Sequence, residues 1–412
     1  MGFDAHLYPG IVDSEELSPA LKGIWNAIYL GKIMTSLVDK VASDAEARKQ
    51  LVIPEAVLSS PFGSLVLETI RATEAKKKLV VPWKLDEPYD QPYHVFNEPA
   101  QVWEPRASAK HKTSEDRAQQ PSDNSPSPVD GPALYSWNID QMLPFAKARM
   151  ETALAYLERL TSRLPSETAA VVFLQECTVP YLEIIARSHW VRERFYITDV
   201  DASNWMSGHA GTTMLVDRRL SVAACFRVHF SQTLVDRDAH FVDVMMRRLG
   251  TSGSPKSAHT NIRLCNVHLE SFDWETPLRP AQMRIIAEYV HKDGMDGAVV
   301  AGDFNSLQPY DRTLHTEHNL KDAFLESGGQ EDVEAGFTWG LQSPEVMRAD
   351  GPSRLDKIMF AGACLQLRRF EIFGRDVQLE DQEKRAELIR LGCEKPWVTD
   401  HLGVMAELHV AK

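Results

Sequence analysis

The chain has 412 residues, of which 43% are hydrophobic and 25% charged, so it belongs with folded globular proteins and is long enough for a sizeable core and more than one domain. Its formal net charge of −13 excludes nucleic-acid binding through general surface charge. A local basic groove, or a site where metal ions neutralise phosphate, stays compatible with that charge.

The N-terminal "MGFDAHLYPGIVDSEELS" has no basic segment followed by an apolar run, so no signal peptide is expected. No apolar stretch reaches the ~20 residues of a membrane span. Five cysteines, an odd number without a CxxC pair, read as free thiols in a reducing compartment. The expected location is intracellular, in the nucleus or cytoplasm.

Residues 1–105 read as a helical accessory region. In "SPALKGIWNAIYLGKIMTSLVDKVAS" and "SPFGSLVLETIRATEAKKK" apolar residues recur at three- and four-residue steps. The Pro- and aromatic-rich "LVVPWKLDEPYDQPYHVFNEPAQVWEP" then reads as an extended arm. No catalytic cluster lies here, and a protein partner is the natural use of the region. Residues 106–131, "RASAKHKTSEDRAQQPSDNSPSPVDG", almost lack large apolar side chains and read as a flexible linker.

From residue 132 to 412 the texture is that of a catalytic domain. "ALYSWNID" is a strand with a polar end, "LPFAKARMETALAYLERLTSRL" an amphipathic helix, and "ETAAVVFLQEC" a buried strand. "VPYLEIIARSHWVRERF" reads as one helix. "GTTMLVDRR", "LSVAACFRVHF", "HFVDVMMRRL" and "TNIRLCNVHLES" are strands. "LRPAQMRIIAEYVHKDG" is a helix, and "AVVAGDFNS", "SRLDKIMFAG", "LQLRRFEIFG" and "GVMAELHV" are further strands. Strands in runs, broken by a few helices, predict two packed sheets flanked by helices.

Several strands end in groups able to bind metal or phosphate: Asn138, Glu176, His268, Asp303 with Asn305, and Asp400 with His401. Asp356 sits in a strand-like run, where an unpaired carboxylate is costly. Taken singly, each has a plain reading as a turn, a cap or a core polar residue. Together they suit phosphoester hydrolysis. Glu176, with Asp303 or Asp400, offers hard oxygens to Mg²⁺. Asp303 is placed to orient or deprotonate water. Asn138 and Asn305 can hold phosphate or water without adding charge. A protonated histidine would stabilise the charged transition state, and Asp356 is the natural partner of His401.

The ordered motifs "WNID", "LQE", "HLES", "GDFN", "RLDKI" and "TDH", spread over about residues 133–410, resemble the endonuclease/exonuclease/phosphatase superfamily. The resemblance implies an α/β fold, a four-layer α/β/β/α sandwich of two packed mixed sheets. It also implies Mg²⁺-dependent attack of water on phosphorus, with Mn²⁺ able to substitute. By that resemblance Asn138 and Glu176 lie on the metal side, with Asp400 beside His401. Asp303 and Asn305 line up the water, and His401, supported by Asp356, contacts phosphate.

"SWNID" with "HLES" is most similar to the tyrosyl-DNA phosphodiesterase 2 branch. That implies a second phosphate-contacting histidine at His268, a substrate contact at Ser271, and a groove-lining aromatic at Trp339 in "FTWG", on which a base can stack. Where that branch carries an arginine after "GD-N", this chain reads "SLQPYD", and Arg312 is the first cation. Thr399 stands where Ser is common, and Leu402 where an aromatic is common. The expectation is a phosphodiesterase of 5′-tyrosyl-DNA ends or related adducts, a DNA-repair activity. The alternatives are hydrolysis of a small-molecule, nucleotide or lipid phosphoester, and an inactive sandwich used as an interaction module. Retention of every metal-site residue weighs against the last.

Overall fold

The computed structural model describes residue 75 and residues 80–107, 129–247, 259–271, 277–342, 351–390 and 393–411. The helical segments expected before residue 80 and most of the expected linker lie outside the described residues.

Strands β4 (Gly131–Asn138) and β5 (Thr168–Thr178) are apolar along most of their length and buried on both faces, as strands inside a sandwich are. They pair in parallel. Parallel pairing needs a crossover, and α1 (Ala146–Thr161) provides it, turning Met150, Ala153, Leu154 and Leu157 onto the sheet. The segment expected as one helix is two, α2 (Val179–Arg187) and α3 (His189–Arg194), because Ser188 between them is extended. A second parallel unit follows, made of β10 (His259–His268), α4 (Leu278–Val290) and β11 (Gly297–Asp303).

Antiparallel neighbours complete two sheets. In the first, β8 (Ser221–His229), β9 (Asp238–Arg247) and β13 (Asp356–Ala361) join β10 and β11, with short β1 (Pro88–Asp90) and β12 (Lys321–Asp322) at the edges, in the order β1-β8-β9-β10-β11-β13-β12. The second contains β14 (Leu365–Phe373), β15 (Gly403–Val410), β7 (Ala210–Asp217), β6 (Phe195–Ile197), β2 (Tyr93–Asn97) and β3 (Val102–Arg106), in the order β14-β15-β4-β5-β7-β6-β2-β3. Leu134, Val171, Phe173, Val242, Leu264, Val299, Ile358 and Val404 fill the space between the sheets. Each such side chain contributes about 1.5–3 kcal/mol relative to exposure. Helices α1–α3 cover the second sheet and α4 the first. The layers are therefore α/β/β/α, as expected.

One expectation needs correction. Residues 88–106 are not part of a helical accessory region. They give β1 to one sheet and the β2–β3 hairpin to the other. Their aromatics serve the sandwich itself: Tyr93 meets Tyr196 edge-on, and just before them Trp83 stacks on His229. The sequence signalled an extended arm correctly, but its partner is the sandwich of the same chain.

All five cysteines are free. Burial pushes the thiols of Cys177, Cys225 and Cys265 upward, so they stay protonated. Among the described residues no helix is long and apolar enough to cross a membrane.

The carboxyl ends of both parallel pairs open on one rim of the sandwich, where open α/β sheets bind ligands. Register sets the row: His268 pairs with Asp303 across β10–β11, and Asp303 with Asp356 across β11–β13. Asn138 ends β4 beside Gln175 in the opposite sheet.

Candidate active site

Asp303 is the centre. It follows Gly302, whose φ is 147° and where a Cβ would lie 1.8 Å from the Val267 carbonyl oxygen. Only glycine lets β11 approach β10 that closely. Asp303 Oδ1 accepts the backbone N–H of Asn305 at 2.9 Å, and Asn305 turns back with φ 48°. "GDFN" is thus a side-chain-closed turn and a site at once. Asn305 Nδ2 donates to the Leu269 carbonyl at 3.0 Å, tying this turn to the end of β10. The other oxygen, Oδ2, accepts from Asn138 Nδ2 at 2.9 Å and faces His268 Nε2 at 3.4 Å and His401 Nε2 at 3.8 Å.

Both histidines have defined states. His401 Nδ1 is 2.8 Å from Asp356 Oδ2. Burial alone would discharge His401, but Asp356, Asp400 and Asp303 outweigh it and hold the imidazole well above its ordinary value. Burial raises Asp356 to about 6, against the pull of His401. The pair at neutral pH is therefore imidazolium and carboxylate. His268 is the opposite case. Arg237 Nη1 donates to His268 Nδ1 at 2.9 Å, so that nitrogen must be an acceptor and the ring proton sits on Nε2. Burial and Arg237 push His268 down to about 3. Burial would raise Asp303, yet His268, His401 and the Asn305 and Asn138 amides hold it below the usual carboxylate range.

Glu176 comes from a bulge. The β5–β7 register shifts between Leu174 and Cys177, and Glu176 takes φ 56°. A left-handed non-glycine residue costs on the order of 1 kcal/mol, and here the bulge re-aims the carboxylate to the rim. Its Oε2 accepts the Gln141 backbone N–H at 2.8 Å and its Oε1 lies 3.4 Å from Asn138 Nδ2. Asp140, next to that contact, also has positive φ, 54°. Asp400 Oδ2 accepts the Trp339 indole N–H at 2.9 Å. Asp400 Oδ1 is buried without a hydrogen-bond donor and lies 3.9 Å from His401 Nε2. An orphaned carboxylate oxygen, in a donor set of carboxylates and an amide, suits a hard divalent cation. Asp303, Asp356 and His401 also bring ligand atoms within 4.8 Å of one another. The 2.8 Å hydrogen bond between Asp356 and His401 accounts for their part in that cluster.

A sequence profile of the endonuclease/exonuclease/phosphatase family matches residues 135–401, from within β4 to His401. The chain belongs to the endonuclease/exonuclease/phosphatase family. Members of this family are metal-dependent phosphoester hydrolases, and this chain is an enzyme of that class. No curated protein sequence matches the chain. Among solved structures, truncated Caenorhabditis elegans TDP2 is 20% identical, over 68% of this chain and 97% of that one, with a TM-score of 0.48. D. rerio TDP2 complexed with single strand DNA product is 18% identical, over 68% and 98%, with a TM-score of 0.49. The human Nocturnin catalytic domain with bound sulfate anion is 14% identical, over 69% and 95%, with a TM-score of 0.46.

The family's rim gathers Asn138, Glu176, His268, Asp303, Asn305, Asp356, Asp400 and His401, all singled out in the sequence. Ser271 joins them by accepting from Arg237 Nη2 at 2.7 Å. Trp339 is half-buried and holds Asp400. Arg312 is not brought in: it is exposed and pairs with Asp332 at 2.8 Å. Among the described residues, the arginine that meets His268 at the rim is Arg237, which sequence reasoning missed. It stands just before β9, and β9 pairs with β10 so that Ala239 faces Val267. That pairing carries Arg237 to His268.

Proposed function

We propose that this chain is a Mg²⁺-dependent phosphodiesterase that hydrolyses 5′-tyrosyl-DNA ends or related DNA-end adducts. One observation carries the reading. Two imidazoles of different charge state flank one ionised carboxylate oxygen, at 3.4 and 3.8 Å. Such a centre fits an in-line attack, with water on Asp303 and phosphoryl oxygens on the histidines.

Asp303, fixed by Asn138 and Asn305, orients the water and takes its proton as oxygen attacks phosphorus and the phosphorus–leaving-group bond breaks. His401, held by Asp356, donates from Nε2 to a phosphoryl oxygen, and neutral His268 donates from its own Nε2. Arg237 fixes the tautomer of His268 and adds positive charge beside Ser271. Glu176, Asp400 and Asn138 would hold Mg²⁺, which supplies Lewis-acid polarisation of the phosphoryl group. A tyrosyl leaving group, with an ordinary pKa of about 10, departs more easily than an alkyl alcohol. The similarity of "SWNID" and "HLES" supports this leaving group.

Of the accessory region expected over residues 1–105 and the linker expected over 106–131, the same reading keeps the parts outside the sandwich as a protein-partner region and a linker. A DNA-end substrate puts the protein in the nucleus or cytoplasm. In the test, purified protein with Mg²⁺, or Mn²⁺ in its place, releases tyrosine from a 5′-tyrosyl oligonucleotide, and chelation stops it. No release at micromolar enzyme rejects the DNA-end substrate.

The surface pairing of Arg312 favours a second reading, a smaller phosphoester, since it leaves Arg237 as the arginine at the rim among the described residues. A panel of nucleotide and lipid phosphoesters separates the two, and steep salt dependence points to DNA. On either substrate, Arg237→Gln raises KM by roughly 10–100-fold, the value of a charge-assisted hydrogen bond. Unchanged KM would remove Arg237 from substrate binding.

A further inference from the structure

Arg149 is fully buried in the first turn of α1, yet its hydrogen-bond partners include no carboxylate. Nη1 donates to the carbonyls of Ile139 at 2.7 Å and Val398 at 2.6 Å. Nη2 donates to those of Asp140 at 2.6 Å and Leu143 at 2.8 Å and to the Tyr181 hydroxyl. Nε donates to Pro144 at 3.0 Å. A buried guanidinium is costly unless its donors are satisfied, and here backbone carbonyls satisfy them. Those carbonyls belong to two segments far apart in sequence. One, 139–144, follows Asn138 and contains Gln141, whose amide holds Glu176. The other ends at Val398, just before Thr399, Asp400 and His401. Thr399 continues the tie: its hydroxyl donates to the Asn138 carbonyl at 2.7 Å and accepts the His401 N–H at 3.2 Å.

We propose that Arg149 is a positioning residue for the active site. Its planar fork sets the spacing between the loop that carries Asn138 and fixes Glu176 and the loop that carries Asp400 and His401. Lysine replaces it only in part, because three donors on one nitrogen cannot serve acceptors that the guanidinium reaches from Nε, Nη1 and Nη2 at once. The inference rests on the metal side proposed above. It does not depend on the leaving group.

The test is Mn²⁺ binding followed by electron paramagnetic resonance, with no substrate present. Arg149→Met and Arg149→Lys are compared with the native chain and with Arg263→Met. Arg263 is also buried, but it pairs with Asp243 at 2.7 Å between β9 and β10, away from the rim. The expected result is that R149M weakens Mn²⁺ binding at least tenfold while near-ultraviolet circular dichroism stays native. R149K falls between, and R263M binds as the native chain does. Native affinity in folded R149M, or an equal loss in R263M, overturns the proposal. If the native chain binds no Mn²⁺, the metal reading fails and the proposal with it. If neither Arg149 variant folds, hydrogen exchange on the native chain decides. Mn²⁺ must then protect amides of 139–145 and 398–401 together, and protection of one loop alone overturns it.

Discussion

Asp303→Asn lowers kcat by about 10³-fold, within the range that general-base groups supply, while the protein stays folded. The substituted amide keeps an oxygen for the Asn305 N–H, which Asp303 Oδ1 accepts at 2.9 Å. Its NH₂ then faces three donors: Asn138 Nδ2, His268 Nε2 and His401 Nε2. It can neither take a proton from water nor balance the charge on His401. Asp303 is held below the usual carboxylate range in the folded chain, so the fold favours its ionised form and the substitution also lowers Tm modestly. The measurement is single-turnover hydrolysis of whichever phosphoester the native enzyme cleaves, with circular dichroism as the folding control. A loss under tenfold in folded protein would sink Asp303 as the base.

Why most of this site could be read from the sequence, and some could not, follows from what is local. Asn138, Glu176, His268 and Asp303 each close an apolar run, and a polar group at a strand end is visible one segment at a time, whereas Asp400 and His401, expected at a strand end, lie just before β15. Asp356 stood out because a carboxylate beside "KIMFAG" needs a partner. Turn chemistry in "GDFN" was visible too, though not that turn and site would coincide. The row His268–Asp303–Asp356 was not visible, since it depends on the registers of β10, β11 and β13. Nor was the left-handed backbone of Glu176, because "LQEC" reads as unbroken strand.

Arg237 and the sheet partners of residues 88–106 were missed for one shared reason, non-local pairing. In "LVDRDAHF" the arginine lies between aspartates and reads as a solvated turn. Only β9 against β10 brings it to His268. The rule that consecutive strands pair would have placed the β8–β9 turn at the end of β10 and raised Arg237 as a candidate. The arm from 88 to 106 has the Pro and aromatic content of an edge strand, but nothing local says which sheet it joins, and it joins both. Arg312 shows the converse. Nearness in sequence to "GDFN" suggested a phosphate contact, while the turn at 309–312 carries it to the surface beside Asp332.

Lys357→Met stabilises the protein at neutral pH, by on the order of 3 kcal/mol. Lys357 follows Asp356 on β13, and strand alternation turns it away from the site. It is buried, with its Nζ 3.8 Å from Glu331, and burial followed by repulsion from Arg354 pushes it down to about 8 from 10.5, against Glu331, Asp322 and Asp311. At 1.36 kcal/mol per pKa unit this difference gives the figure above. Below pH 8 the lysine is charged in both states and the folded chain bears the full cost. Between about 8 and 10.5 it is neutral when folded and charged when unfolded, so stability rises with pH. Above 10.5 the cost is gone. Methionine fills a similar volume without the charge, and Glu331 keeps Arg354, whose Nε donates to it at 3.1 Å while Nη1 holds Asp322 at 2.8 Å. Urea unfolding of native and K357M chains at pH 7, 9 and 10.5 cancels the contributions of other groups. The gap between them should be largest at pH 7 and close towards pH 10.5. A gap that is absent at pH 7 would mean that Glu331 and Asp322 compensate the charge of Lys357, and a gap constant across the range would mean that its pKa is the same in both states.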